Sequence, residues 1–292
     1  MWKKNVETFL GCESEYETAK IVLFGAPFDS TTSYRPGARF GSAAIRHESY
    51  GLETYSPMLD RDLSDIAVFD GGDLELPFGS TEDALSAIEG ATDSIFADGK
   101  IPVLLGGEHL VTLGAVRAGI WHHPDLHLIH FDAHADLRDD YLGVKLSHAS
   151  VIRRCHDLLG DDRIFQFGIR SGDRTEFGWA SKGHTKLQKF DFEGLSGIVS
   201  DLAKRKVPVY LTIDLDVLDP SVFPGTGTPE AGGVSFQALH EAIRTVFEGN
   251  EKTSGGCNVI GCDLVELAPP LDPTGASTAV ACKMVRELLL MA

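Results

Sequence analysis

The chain has 292 residues, 43% hydrophobic and 24% charged, fractions that exclude disordered, collagenous and coiled-coil classes. Its 26 Lys and Arg stand against 43 Asp and Glu, and the formal net charge of −17 disfavours nucleic acid and anionic membrane surfaces as partners. No run approaches the ~20 apolar residues that a membrane span needs.

In chain order, short β-rich runs alternate with helical patterns. The first twenty residues, MWKKNVETFLGCESEYETAK, lack the apolar core of a secretory signal. A strand is expected at 20–25, a helix at 41–50 and a strand at 65–70. The clearest helix is 81–98, where Ala84, Ile88, Ala91 and Ile95 recur at helical spacing, Ser80 stands at the cap and Gly99 follows as a stop. A strand at 101–106 and a helix at 110–120 come next, then a strand at 126–132 and a helix at 149–159. Strands at 163–169, 186–190 and 207–214, a helix at 235–247, a strand at 258–265 and a helix at 277–291 complete the series. IPVLL and VYLTI are apolar on both faces, as parallel strands covered by helices are. About eight strands with interleaved helices predict an α/β fold: three α/β/α layers around a central, mostly parallel sheet. Gly and Pro are evenly spread without a linker or repeat, so residues 1–292 are expected to form a single domain. Five cysteines without CxxC spacing fit reduced thiols and a cytoplasmic location.

In such sheets ligands gather at the carboxyl ends of strands, and three polar clusters fall there. Asp132, His134 and Asp136 alternate directly after the strand at 126–132, so an extended backbone points all three to one side. Like-sided ionisable groups at a sheet end are costly to desolvate without a cation. Asp214 and Asp216 end the apolar run before them in the same way. His109, in LLGGEHLVT, follows a strand and opens a helix, where capping or packing is an equal reading. Together the four aspartates carry four negative charges, which two divalent cations ~3.5–4 Å apart would balance. Oxygen-rich sites with imidazole suit Mn²⁺, Zn²⁺ or Fe²⁺. Seven of the eleven histidines lie between His109 and His148, which concentrates imidazole around this region. HExxH, GxxxxGK[ST] and GxSxG patterns are absent.

GGEH with His109, FDAHADLR with Asp132, His134 and Asp136, SHAS with His148 and DLDVLDPS with Asp214 and Asp216 resemble the signatures of the ureohydrolase (arginase/agmatinase) family. PFDSTTSYRPGARFGSAAIR, PGTGTPEAGG and DLVELAPPLD carry the resemblance over nearly the whole chain. It implies an arginase-like fold, a homo-oligomer (trimer or hexamer) and two Mn²⁺ per subunit. By resemblance, His109, Asp132, Asp136 and Asp214 hold one ion and Asp132, His134, Asp214 and Asp216 the other, with Asp132 and Asp214 bridging. His148 is implied as a proton shuttle and Glu266, in DLVEL, as the group that holds the guanidinium. A hydroxide generated between the two ions would attack the guanidino carbon, releasing urea and an amine. No organic cofactor is needed.

The loop LRDDYLGVKLSHAS lacks the SGN-like stretch with which arginases bind an amino acid head group, and offers Asp139 and Asp140 for a distal cation. A small cationic guanidino substrate is therefore expected, agmatine giving putrescine. An ω-guanidino acid is the alternative, with Arg138, Lys145 and Arg170 as candidate partners for its carboxylate. An inactive metal-binding homologue and an amidohydrolase that releases acetate are the readings from other classes. The intact ligand positions and Glu266 speak against them.

Overall fold

A computed structural model describes residues 7–253 and 255–292. Ten strands are present among them: β1 (Ile21–Ala26), β2 (Tyr55–Ser56), β3 (Arg61–Asp62), β4 (Val68–Asp73), β5 (Ile101–Gly106), β6 (His127–Phe131), β7 (Ile164–Ile169), β8 (Lys186–Lys189), β9 (Pro208–Asp214) and β10 (Asn258–Val265). β2 and β3 pair as a small antiparallel ribbon, and the other eight form one sheet in the order β4-β1-β5-β10-β9-β6-β7-β8. Every pairing in that sheet is parallel.

The helices are α1 (Gly41–Ser49), α2 (Thr81–Ala97), α3 (Val111–His122), α4 (Val151–Leu159), α5 (Arg174–Trp179), α6 (Leu195–Arg205), α7 (Phe236–Glu248) and α8 (Ala276–Met291). Alternate residues of each strand enter opposite layers, as the period of two requires. Val22, Phe24, Leu104 and Leu128 pack with Leu85 and Ile88 of α2, Leu113 of α3 and Ile152 of α4. Leu23, Val103, Leu105 and Ile129 pack with Ile45 of α1, Val199 of α6, Ile243 of α7 and Val285 of α8. The three-layer α/β/α expectation holds, and its sheet is wholly parallel.

The expected strand at 65–70 begins three residues later. Asp62 caps a short turn over Leu63–Asp65, accepting the Ser64 N–H at 2.9 Å, and the chain becomes extended only afterwards. Helices α5 and α6 were not expected. Among the described residues no helix is long and apolar enough to cross a membrane.

The connection from β5 to β6 leaves a gap in the sheet that β9 and β10 fill. Registration then sets the site. Phe131 pairs with Ile213 and Asp214 with Val265, so Asp132, Asp214 and Glu266 emerge side by side at the carboxyl edge. Gly107 after β5 completes the row by accepting the Glu266 N–H at 2.9 Å. A side chain at Gly107 would meet the Phe28 carbonyl at 1.9 Å, which explains the glycine.

Candidate metal centre

Asp132 is fully buried and divides its two oxygens between two imidazoles. Oδ2 lies 2.9 Å from His109 Nδ1, and Oδ1 lies 3.5 Å from His134 Nδ1. Around His109, Asp214 Oδ2 stands at 3.2 Å and Asp136 Oδ2 at 3.5 Å. Around His134, Asp216 Oδ2 stands at 3.0 Å. The six residues singled out on the three strand ends therefore converge.

They do so by a different route from simple alternation. β6 stops at Phe131, the His134 N–H turns back to Asp132 Oδ1 at 2.5 Å, and Asp136 adopts φ 52°. Glu266 likewise has φ 67°. Left-handed backbone at non-glycine residues costs energy and persists only where neighbours enforce it, commonly at functional sites. Asp214 caps the turn that follows β9, its Oδ1 accepting the Asp216 N–H at 2.8 Å, which leaves Oδ2 for the centre.

The hydrogen-bond chain behind His109 fixes its tautomer. Thr212 gives its only hydroxyl hydrogen to Asp263 Oδ1 at 2.6 Å, so at 2.8 Å it accepts from His109 Nε2–H. Nδ1 of the neutral ring is then a bare lone pair, buried without a hydrogen-bond partner and facing three carboxylates. Lone pairs aimed at one another call for a cation between them. Without one, the pocket attracts protons. Burial opposes charge on His109, but Asp132 and Asp214 hold its pKa well above the ordinary value. Burial pushes Asp136 and Asp214 up, with carboxylate repulsion added. Four buried aspartates and two imidazoles fit two hard or borderline dications.

His130 touches the same centre and was not singled out from the sequence. Thr185 donates to Gln166 Oε1 at 2.9 Å, which orients the amide so that Nε2 donates to Ala135 O at 2.8 Å and to His130 Nδ1 at 3.1 Å. His130 Nε2 must then carry the hydrogen, and it donates to Asp132 Oδ2 at 2.8 Å. The ring orients Asp132 and has no lone pair left for a cation. Its alternation with Asp132, just past the end of β6, is the signal the sequence offers. The other histidines between 109 and 148 do not join the centre: His122 pairs with Asp93, His123 packs edge-on against Phe96, and His127 pairs with the Asp125 carbonyl and Arg205.

His148 opens a short turn before α4 and is buried. Its Nε2 faces Ser33, with the backbone N–H at 3.2 Å and Oγ at 2.9 Å, and its Nδ1 lies 3.9 Å from Glu266 Oε1. An N–H donor at Nε2 requires a lone pair there, so the neutral ring carries its hydrogen on Nδ1, toward the centre. Burial lowers its pKa to about 4, with positive charge on His134 and His109 in the same direction. Glu266 is fully enclosed, its Oε1 accepting the His109 N–H at 2.9 Å. Burial and the Glu108 charge raise its pKa to about 8.

The loop that carries Ser33 is held by Glu108. This buried carboxylate accepts the Thr31 N–H at 2.9 Å, the Thr32 hydroxyl at 3.0 Å and the Thr31 hydroxyl, while Thr31 Oγ1 accepts the His148 N–H at 3.0 Å. Arg35 ties the loop to the carbonyls of Thr226 and Gly227 at 2.8 and 3.1 Å.

A cavity of about 230 Å³ lies above, its wall including His134, Asp136, His148, Ser33, Arg138, Asp173 and Glu176. Glu266 is not part of that wall. Asp139 and Asp140 do not face it either: Asp139 takes the Arg154 guanidinium at 2.9 Å, and Asp140 accepts the Gly143 N–H at 3.0 Å. Arg170 is absorbed by the carbonyls of Asp216, Glu230 and Leu218 at 2.7, 2.9 and 3.3 Å, and Lys145 lies outside the wall. Of the three cations expected near a substrate carboxylate, Arg138 alone lines the cavity. Asp173 and Glu176 each approach it at 3.5 Å.

Comparison with known proteins places this architecture. An agmatinase of Bacillus subtilis is 46% identical over 285 residues, covering 97% of this chain and 96% of that protein. A guanidinobutyrase of Pseudomonas aeruginosa is 35% identical, covering 94% of this chain and 87% of its own length. The crystal structure of the agmatine ureohydrolase of Thermoplasma volcanium superposes with a TM-score of 0.86 at 35% identity, covering 98% of this chain and 94% of that one. The arginase family model matches residues 19–291, and the chain belongs to the arginase family.

Proposed function

We propose that the protein is a manganese-dependent ureohydrolase that converts agmatine to putrescine and urea. The observation that carries this reading is the division of Asp132 between two imidazole–carboxylate groups at the floor of a cavity with an acidic wall. His109, Asp132, Asp136 and Asp214 would hold one Mn²⁺, and Asp132, His134, Asp214 and Asp216 a second. Bound there, the ions supply the Lewis acidity that makes hydroxide available near neutral pH.

The chain's own residues supply the rest. The positive charge of the ions and of the guanidinium would hold Glu266, beside Asp214 in the sheet, as the carboxylate that pairs with the planar guanidinium and fixes the carbon over the centre. His148 takes up a proton at Nε2 on the Ser33 side and passes its Nδ1 proton to the departing amine, so the ring returns to a neutral form. Ser33 is exposed while His148 is buried, so the pair spans the boundary between solvent and site. Five unpaired cysteines support the reducing conditions of the cytoplasm.

With Asp136 taken up by the metal centre, the cavity wall bears Asp173 and Glu176 against one cation, Arg138, an excess of one negative charge that suits an ammonium tail better than a carboxylate tail. The similarity to a guanidinobutyrase and the position of Arg138 support ω-guanidino acids as the second reading. A urea-release screen of agmatine, arginine, guanidinobutyrate, guanidinopropionate and formimidoylglutamate with Mn²⁺-loaded protein tests the proposal. The highest kcat/KM is expected for agmatine; a preference for guanidinobutyrate would select the second reading.

A further inference from the structure

We propose that His156, Asp161 and His184 form a second, peripheral site for a borderline first-row dication such as Zn²⁺, separate from the carboxylate-rich centre. The three residues come from different segments: the last turn of α4, the loop leading to β7, and the end of the turn over Ala180–His184. His156 Nε2 and His184 Nδ1 each lie 2.8 Å from one oxygen, Asp161 Oδ1. All three donor atoms fall within 4.8 Å of one another. A dication with bonds of ~2.0–2.2 Å to nitrogen and oxygen draws such a set together by small side-chain adjustments.

The rings are already aligned. Trp179 stacks on His184 with centroids 4.4 Å apart at 19° and meets His156 edge-on at 4.7 Å and 86°. Holding both imidazoles in place lowers the ordering cost that a surface site otherwise bears. The Asp161 side chain is 59% exposed, which leaves water free to complete the coordination shell. Hydrogen bonds from His184 and His156 keep its pKa below the usual carboxylate range, so it is anionic at neutral pH.

Two imidazoles and one carboxylate form a three-ligand set of the kind that leaves zinc an open position. This differs from the four-aspartate centre in softness, so the two sites prefer different metals. A carboxylate only accepts, so both facing nitrogens now carry hydrogen. On binding, each hydrogen moves to the other ring nitrogen or leaves as a proton, and affinity falls as the imidazoles protonate. The ion would tie the end of α4 to the 180–184 turn. Any ligand of the folded state alone raises thermal stability by mass action. The site stands whether or not the hydrolytic reading does.

The test is titration of the full-length, Mn²⁺-loaded protein with ZnCl₂, metal being counted per chain after desalting and melting followed with and without zinc. The wild type is expected to retain one zinc more per chain than His156→Ala or His184→Ala, and to melt higher with zinc where they do not. Exchange of zinc into the centre affects all forms equally and cancels in the difference. Asp161→Asn, which keeps the side chain's shape, is expected to lose the same zinc. Equal zinc retention and equal melting shifts in all four proteins would overturn the proposal.

Discussion

Ser33 and His148 lie 115 positions apart, yet both the backbone N–H and the hydroxyl of Ser33 address His148 Nε2, at 3.2 and 2.9 Å. The backbone donor sets the tautomer and the hydroxyl offers a path for the proton. Ser33→Ala keeps the first and removes the second. One neutral hydrogen bond contributes about 1 kcal/mol, so kcat should fall roughly fivefold with KM little changed. Steady-state kinetics check this, and Ser33→Thr should recover most of the loss.

His148→Ala should lower kcat by roughly 10²–10⁴-fold, the range for a general acid–base group, with metal content unchanged. Elemental analysis of the purified variant separates this role from ligation: metal loss would make His148 a ligand.

His130→Ala leaves all six converging residues in place but removes the donor that aims Asp132 Oδ2. Loss of such a supporting bond typically weakens metal binding by roughly 10–100-fold. Chelator competition measures it, and Gln166→Leu should act in the same direction because its amide orients the ring.

Glu108 predicts a pH effect on stability. Burial raises its pKa from 4.5 to about 7, against the opposing hydrogen bonds of Thr31 and Thr32. A raised folded-state pKa means that the folded protein binds the extra proton. Its stabilising contribution is complete below pH 4.5 and disappears as pH rises through 7. The stability of the wild type relative to Glu108→Gln should therefore fall over that interval, by on the order of 3 kcal/mol. Denaturant melts at pH 4.5 and 8 check the slope.

Substrate choice should respond to Asp173. Asp173→Asn removes one negative charge from the cavity wall, so KM for agmatine should rise several-fold while KM for guanidinobutyrate falls. Exposed pairs contribute up to about 1 kcal/mol, which sets that scale. Identical shifts for both substrates would place Asp173 away from the tail.

Much of the centre was legible because the apolar runs of β5, β6, β9 and β10 give way abruptly to His, Asp and Glu, and a parallel sheet brings those ends together. What local pattern could not carry is contact across the chain. Ser33 reads as one hydroxyl in a turn, and only folding sets it on His148. Asp139 and Asp140 read as available charges, but Arg154 and a local turn take them up, while Asp173 and Glu176 reach the cavity at the cap and first turn of α5, a helix too short to show an apolar period. Helix α6 does carry Leu195, Val199 and Leu202 on one buried face. Gly194 before it and Gly197 within it obscured that stripe.

The central claim is that Asp132 joins two metal ions in a hydrolytic centre. It is tested most directly by measuring urea release from agmatine together with bound Mn²⁺ in wild type and Asp132→Asn. Two Mn²⁺ per chain with turnover in the wild type, and loss of both metal occupancy and urea in the variant, is the predicted result. Near-normal urea release by an Asp132→Asn protein that still binds Mn²⁺ would contradict it.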